Sequence, residues 1–266
     1  MIKNYLRRIN RRYQLAPAAI IITVASLLTL GLDLGISSAL TSTTTNSTST
    51  SGSTTTTTLT ATQQAQHLTN IISKGNQEIT RRLTTLGTLS RKISSSTKIS
   101  ATDKTTLSAE VNTEITGLTS LKTQLDADTT LTAAGTDATS IFTEYRVYAL
   151  VVPKVELTKT ADDQQITEAK LSSLAQSLTI EINTEKTNGK DTTSVTATLT
   201  DMTTQIANAQ AISSAMETKV LPLQPSDYDT DQTILSGDAA QLKMAHSENE
   251  AAYADAKSIV ATLKTL

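Results

Sequence analysis

The sequence contains no cysteine and no tryptophan, and Phe142 is its only phenylalanine. Without cysteine the chain has neither disulfide bonds nor thiolate ligands for a metal. Its two histidines, His67 and His246, have no second histidine or cysteine nearby in the sequence, whereas a zinc site needs three or four such ligands. Because aromatic residues make up only 3% of the chain, we expect a core built from Leu, Ile, Val and Ala.

Motifs typical of catalysis are also missing from the sequence. There is no glycine-rich phosphate loop, no HExxH and no Gly-x-Ser-x-Gly. Ser and Thr are too frequent for any one of them to be identified as a nucleophile. The formal net charge is −2, whereas nucleic-acid binding needs a concentrated basic face. We therefore expect a protein that is not an enzyme, has no resident cofactor and binds no nucleic acid.

Residues 1–39 combine a basic head with the apolar run Ala18–Leu32. Positive charges beside an apolar segment stay on the cytoplasmic side, so the chain that follows is directed outward. The run is shorter than the ~20 residues that cross a bilayer, and small residues precede Ala39, which favours a cleaved signal peptide. The leader is nevertheless long beside the usual ~15–30 residues, so an N-terminal membrane anchor is the alternative. The basic residues of the head are Lys3, Arg7, Arg8, Arg11 and Arg12.

Residues 40–58 form a low-complexity, Ser/Thr-rich segment. Between Thr41 and Thr58 every residue except Asn46 and Gly52 is Ser or Thr. Such a composition cannot bury enough apolar surface to fold, so we predict a disordered stalk with a span of roughly 25 Å. The segment is interpreted as a flexible tether or, alternatively, as an O-glycosylated stalk.

Residues 59–266 show helical periodicity and predict an all-α domain: an elongated, antiparallel up-and-down bundle of about five helices, in part resembling a coiled coil. The first stripe, interrupted at Gly75 and Arg82, is followed by a turn at 98–101, and Ser100 to Asp103 resembles a capping box. A second helix is expected up to Leu125, and residues 126–136 are expected to be a polar connection. The first stripe consists of Ile72, Ile79, Leu86 and Ile93.

The second half of the domain is punctuated by proline and glycine. Residues 141–155 carry apolar residues at helical spacing, and the run 145–152 is also rich in strand-forming types. No partner strand is available, so we predict a helix that Pro153 kinks or interrupts. A further helix is expected to end at Asn188-Gly189, and another spans 195–220. After a break at 221–225, the last helix is expected to begin near Ser226 and to run to about Lys264.

A cluster of acidic residues follows this break and has the alternate spacing of a calcium loop. Gln232 stands where such a loop needs glycine, and the twelfth position carries Asp in place of Glu. In the competing interpretation, Ser226 or Asp227 caps the last helix and the other acids favour its N-terminal dipole. The sequence thus leaves two alternatives for these acids: a helix N-terminus that binds no cofactor, or a calcium site. The candidate metal ligands are Asp227, Asp229, Asp231 and Asp238.

Phe142, Tyr145 and Tyr148 form the densest aromatic cluster of the chain. They are candidates for a partner-binding surface, or for a packing anchor between crossing helices. The neighbouring Arg146 and Lys154 are interpreted as a solvated face.

Two segments of this region, IFTEYRVYALVVPK (141–154) and LQPSDY (223–228), resemble segments of uncharacterised exported helical-bundle proteins of actinobacterial and patescibacterial type. The resemblance extends over about residues 100–266. It implies a bacterial cell-surface or secreted setting, and it assigns neither an activity nor a functional residue.

From these patterns we expect an exported helical module, secreted or tethered to the outer face of the cytoplasmic membrane, that has an interaction or structural role, adhesion included. Its partners would be the membrane, if the N-terminal segment is not cleaved, and an envelope or cell-surface protein or glycan. The alternative function is an extracytoplasmic binding module for a small ligand or Ca²⁺, at the acidic loop or the tyrosines.

Overall fold

The computed structural model describes residues 60–266, so the predicted signal or anchor segment (1–39) and the stalk (40–58) lie outside the described residues. Within residues 60–266 the chain is all-α and forms no strand, as predicted. None of these helices is both long enough and apolar enough to span a lipid bilayer. The helices are α1 (Ala61–Ser95), α2 (Ala101–Ala127), α3 (Leu131–Thr143), α4 (Val152–Thr187), α5 (Thr193–Val220), the short α6 (Pro225–Thr230) and α7 (Asp238–Leu263).

The apolar stripe predicted on α1 faces the core. Ile79, Leu86 and Ile93 are completely buried there. Gly75 and Arg82, which interrupt the stripe, are buried as well. A Cβ on Gly75 would lie 2.5 Å from the side chain of a leucine on α2, so glycine allows the two helices to approach closely. The interruptions therefore mark positions where neighbouring elements pack against α1.

The polar connection predicted at residues 126–136 is mostly helical, and the prediction is wrong there. Helix α2 continues through Asp126, whose carboxylate accepts a hydrogen bond from Lys122 one turn earlier. The side chain of Thr130 then accepts a hydrogen bond from the N–H of Ala133 and caps α3. Gly135 lies inside α3 with open space around it. This extra helix explains why residues 60–266 contain six helices of 13 residues or more, where about five were expected.

The interruption predicted at Pro153 lies instead at Arg146. Arg146 has a left-handed backbone (φ 35°, ψ 33°) and is followed by a π-helical turn at Val147–Val151. Pro153 falls in the first turn of α4, where a missing N–H costs little. The chain therefore stays helical on both sides of the predicted break, with the change of direction seven residues earlier.

The last long helix begins at Asp238, not near Ser226 as predicted. The segment that was assigned to its start forms α6, which ends at Thr230. The carboxylate of Asp231 accepts hydrogen bonds from the N–H and the hydroxyl of Thr233, which favours a turn over further helix. Gly237, with φ of 82°, then sets the direction of α7.

Helix α4 belongs to two bundles stacked end to end. Its first residues complete the bundle formed by α1, α2 and α3, and the rest of it packs with α5 and α7. With 36 residues, α4 is about 54 Å long. The α1–α2 loop reaches α4 at Asp162 and Asp163, and the connection after α5 reaches it about two turns earlier, at Lys154. We call this stretch the waist: residues 154–168 of α4 with residues 100–114 and residues 217–223.

Candidate functional site

The waist carries an unusual concentration of buried polar side chains, and it separates the two large apolar cores. A small apolar cluster around Ala161 and Leu242 lies between them. Buried polar groups normally need hydrogen-bond partners, so each of them restricts how the elements can pack. The buried polar residues that α4 contributes here are Lys154, Thr158, Asp162, Gln164 and Glu168.

Three carboxylates from three different helices meet at the waist: Asp103 of α2, Asp162 of α4 and Glu217 of α5. One oxygen of each lies within 4.8 Å of the others. Asp103 and Asp162 are buried, and Glu217 lies partly exposed at the rim. Among residues 60–266 this is the only group of three or more Asp, Glu, His or Cys side chains with such spacing. We refer to these three residues as the carboxylate cluster.

The start of α2 explains why Asp103 faces inward. The hydroxyl of Ser100 accepts a hydrogen bond from the N–H of Asp103, at 3.1 Å, as predicted for a helix cap. In a complete capping box the side chain of Asp103 would in turn accept the N–H of Ser100. That N–H donates to Asp162 of α4 instead, at 2.8 Å. The carboxylate of Asp103 is thereby released from the cap, and its Oδ2 atom is buried without a hydrogen-bond partner.

The electrostatics of the cluster show the cost of bringing these acids together. The pKa of Asp162 is raised from 3.8 to about 7, first because the carboxyl is removed from water, then by the charge of Asp103 and a hydrogen bond between the two side chains, and last by the charge of Glu217. The hydrogen bond from Ser100 lowers the pKa and offsets only part of this effect. Such a cluster can either retain a proton or hold a cation.

Lys154, which was interpreted as part of a solvated face, is completely buried, and that interpretation is wrong. Its ammonium donates to both carboxylate oxygens of Glu110 on α2, at 2.8 and 2.9 Å. It also donates to the carbonyl oxygens of Leu221 and Leu223, which follow the last turn of α5. These carbonyls lie where a helix end leaves oxygens unpaired, so Lys154 caps α5 from another helix.

Glu114 lies one turn further along α2 than Glu110. Its pKa is raised from 4.5 to about 7, chiefly because the carboxyl is removed from water and secondly by the charge of Glu110. The charge of Lys154 acts in the opposite direction. The single positive charge of Lys154 therefore lies near two carboxyl groups: that of Glu110, which it binds, and that of Glu114.

Two further polar pairs connect α4 with the C-terminal bundle. The hydroxyl of Ser213 on α5 donates to Glu168, at 2.8 Å, inside the protein. The amide of Asn249 on α7 donates to the side-chain oxygen of Gln164, also at 2.8 Å. Burial raises the pKa of Glu168, and the Ser213 hydroxyl reduces that effect. The polar contacts of the waist thus reach all three helices of the second bundle.

Two of the four candidate calcium ligands, Asp227 and Asp231, are engaged in local backbone contacts. Asp227 accepts a hydrogen bond from the N–H of Gln224, at 2.7 Å, at the start of α6. Hydrogen bonds from Thr233 hold the pKa of the Asp231 carboxyl below its usual range. These contacts agree with a role in helix capping. The competing interpretation had assumed that Asp227 caps the last long helix, but it stabilises the start of the short α6.

The other two candidate ligands pair with cations. Asp229 accepts a hydrogen bond from the Nε of Arg146, at 2.7 Å, which links α6 to the π-helical turn. Asp238 is buried at the start of α7 and accepts one from Lys219, at 2.6 Å. The four loop carboxylates do not form a group with the spacing of the carboxylate cluster in the described part of the chain. Calcium binding by the loop stays a prediction.

The aromatic cluster packs against the N-terminal core, and its side chains are half-buried. The guanidinium of Arg82 on α1 lies 4.5 Å from the ring centre of Phe142 and 5.2 Å from that of Tyr148. The ring of Tyr145 lies against Gly117 of α2, where a Cβ would approach it to 2.6 Å. These contacts are those of a packing anchor. A partner surface at these residues stays a prediction.

The two histidines lie on different helices. His67 is exposed on α1. His246 is half-buried on α7, with its Nε2 atom 3.4 Å from the carboxylate of Glu250. Neither belongs to a ligand group in the described region.

Sequence reasoning missed the carboxylate cluster. It treated Asp103 as a helix cap, and it assigned no role to Asp162 or Glu217. A signal was present on α4, because Val155, Thr158 and Asp162 follow one another at the three- and four-residue spacing of a buried face. Polar residues that occupy an apolar stripe indicate a buried polar contact, although not its partners.

Comparisons with known proteins identify no relative: no family model, no curated protein and no solved structure matches the chain.

Proposed function

We propose that the protein is an exported, surface-displayed or secreted helical module that acts by interaction or as a structural element, without catalysis. The observation that carries this proposal is the order of segments: a basic head, an apolar run, a Ser/Thr stalk and then a helical domain. The first three segments belong to export and display. The fourth has the elongated form of a spacer or a binding rod.

The surface of the domain supports this role. Many exposed threonine hydroxyls donate to the backbone carbonyl four residues earlier, as Thr84, Thr119 and Thr200 do at 2.7–3.1 Å. Their hydroxyl protons are used within the helix, which leaves methyl groups and weakly polar oxygens facing solvent. The large apolar side chains exposed in the described residues are Ile180 and Met244. A partner would therefore be recognised mainly through polar contacts, as an envelope protein or a glycan would be.

Export can be tested with a C-terminal epitope tag and protease added to intact cells. We expect the tag of the parent protein to be degraded or released. Substitution of Arg7→Glu and Arg8→Glu should increase the protected fraction, because the side-chain charge of the head falls from +5 to +1 and the orientation signal is weakened. The control is Lys170→Glu with Lys186→Glu, which changes the same charge on exposed positions of α4. A tag that is protected in the parent protein contradicts export.

Sequencing the N-terminus of the mature protein separates the two forms of display. A start at Leu40 indicates a cleaved signal peptide, and an intact Met1 in the membrane fraction indicates an anchor.

The interaction role requires saturable binding of the full chain to isolated cell envelopes. Protease treatment of the envelopes should abolish binding to a protein partner, and periodate treatment should abolish binding to a glycan. Binding that does not saturate contradicts an interaction role.

A further inference from the structure

The carboxylate cluster has more negative charge than its surroundings neutralise. Among the described residues, no ion pair involves Asp103, Asp162 or Glu217. The nearby Lys98 binds Asp163, and Lys219 binds Asp238. The cluster receives neutral donors instead: the Ser100 N–H at Asp162, and the amide of Gln165 at Glu217, 2.7 Å away.

Asp103 gives a second and independent indication of a ligand. Its side chain is 2% exposed, and its Oδ2 atom is buried without a hydrogen-bond partner. Since a carboxylate oxygen buried in this way is unfavourable, native structures rarely leave one unpaired. The carboxylate lies within ligand spacing of the other two acids, so a cation between them would supply the missing contact. Thr158, one turn before Asp162 on the same face of α4, is also fully buried with an unpartnered hydroxyl.

We propose that the carboxylate cluster of Asp103, Asp162 and Glu217 binds a hard divalent cation, and that Ca²⁺ is the ion that fits it. Carboxylate oxygens are hard ligands, and the absence of cysteine and histidine from the cluster disfavours softer metals.

The larger radius and more flexible coordination of Ca²⁺ favour it over Mg²⁺ in this cluster. Ca–O distances of about 2.3–2.6 Å allow two ligands of one ion to be up to about 5 Å apart, whereas Mg–O distances of about 2.0–2.1 Å limit them to about 4 Å. The three oxygens all lie within 4.8 Å of one another, so the helices need to move little for all of them to reach one Ca²⁺ ion. Mg²⁺ would need a tighter octahedral arrangement.

A bound ion would join the start of α2, the middle of α4 and the end of α5. These elements belong to different bundles, so Ca²⁺ would fix the contact between the bundles at the waist. A ligand that binds only the folded state stabilises it in proportion to the logarithm of its concentration. The melting temperature should therefore rise continuously with added Ca²⁺ above the dissociation constant.

The test uses the full-length chain, purified in mild detergent and stripped with a chelator, at constant ionic strength. We expect CaCl2 at about 100 times its Kd to raise the Tm by roughly 5–10 °C. Titration calorimetry should give one ion per chain, and MgCl2 at the same concentration should give a smaller rise. Asp103→Asn and Glu217→Gln should each remove most of the response. The cap of α2 uses the hydroxyl of Ser100 and the backbone N–H of Asp103, which Asp103→Asn retains, and Glu217 is partly exposed, so both variants should fold.

The double substitution Asp229→Asn with Asp231→Asn is the matched control, because it removes two acids from the acidic loop and leaves the cluster intact. It should keep the full Ca²⁺ response. The proposal is overturned if Ca²⁺ up to about 10 mM does not change the Tm. It is equally overturned if Glu217→Gln responds as the parent does, or if the loop variant alone loses the response. A Ca²⁺-insensitive parent that Asp103→Asn stabilises would show that the acids share a proton instead.

Discussion

Replacement of Lys154 by methionine tests the buried ion pair of the waist. Methionine has a similar length and no charge, so the substitution removes the ammonium with little change in volume. It leaves the carboxylate of Glu110 without its cation, and it leaves the carbonyls of Leu221 and Leu223 without their donor. The side chain of Lys154 is fully buried, and that of Glu110 is 19% exposed.

The magnitude of the loss follows from these exposures. Removing one partner of a buried ion pair costs about 3–5 kcal/mol. Because Glu110 retains some contact with water, we expect about 3 kcal/mol, with about 1 kcal/mol more for the unpaired carbonyls. For a domain of this size, the sum of about 4 kcal/mol corresponds to a decrease in Tm of roughly 8–16 °C.

Denaturant unfolding, followed by circular dichroism, measures the free energy. The control is Lys159→Met, on the same helix, whose side chain is 45% exposed and lies 3.5 Å from Glu156. We expect a loss of less than about 0.5 kcal/mol for the control. The double variant Lys154→Met with Glu110→Met should recover at least half of the loss, because it removes both charges. Equal stabilities of Lys154→Met and Lys159→Met would refute the role of the buried pair.

Two other properties of the described residues can be tested. Because the folded-state pKa of Glu114 is raised from 4.5 to about 7, its favourable contribution is complete below pH 4.5 and is lost as the pH rises to about 7. The unfolding free energy should therefore fall between pH 5 and 8, and Glu114→Gln should reduce this fall by about 1 kcal/mol after allowance for solvent screening. An unchanged dependence of the unfolding free energy on pH contradicts this prediction. Gly117→Ala should destabilise by about 1 kcal/mol, because its Cβ would meet the Tyr145 ring at 2.6 Å. Gly87→Ala, with open space around it, should stabilise by about 0.5–1 kcal/mol; thermal unfolding that ranks the two variants in the opposite order refutes this packing argument.

The helical periodicity was sufficient to predict the fold class and most of the core. The stripe of Ile79, Leu86 and Ile93 is buried as expected, because a repeat of seven places these side chains on one face. The chain also turns at Gly189, with φ of 80°, as its Asn-Gly sequence indicated. Such features depend on residues close in sequence, and local physics determines them.

Features that depend on distant residues were predicted poorly. Nothing near Lys154 in the sequence indicates that carbonyls almost seventy residues later surround its ammonium. The start of α3 was missed because its buried face is made of Ala134 and Ala138, which carry little hydrophobic signal. Asp103 was recognised as a cap residue, but its carboxylate turned inward because Asp162 of another helix took its place at Ser100. A competition between two acids for one N–H is a tertiary property.

The polar waist also bears on how α4 keeps its alignment with two bundles at once. An apolar stripe of Leu and Ala offers similar packing when a neighbouring helix slides by one turn, so it specifies register weakly. Lys154 does not tolerate such a slide, because its Nζ atom contacts Glu110 of one bundle and the end of α5 in the other. A displacement of about 5.4 Å would break both contacts and leave a charge buried. The ion pair therefore adds little to stability compared with an apolar pair. It does make the observed helix register much more favourable than a register shifted by one turn.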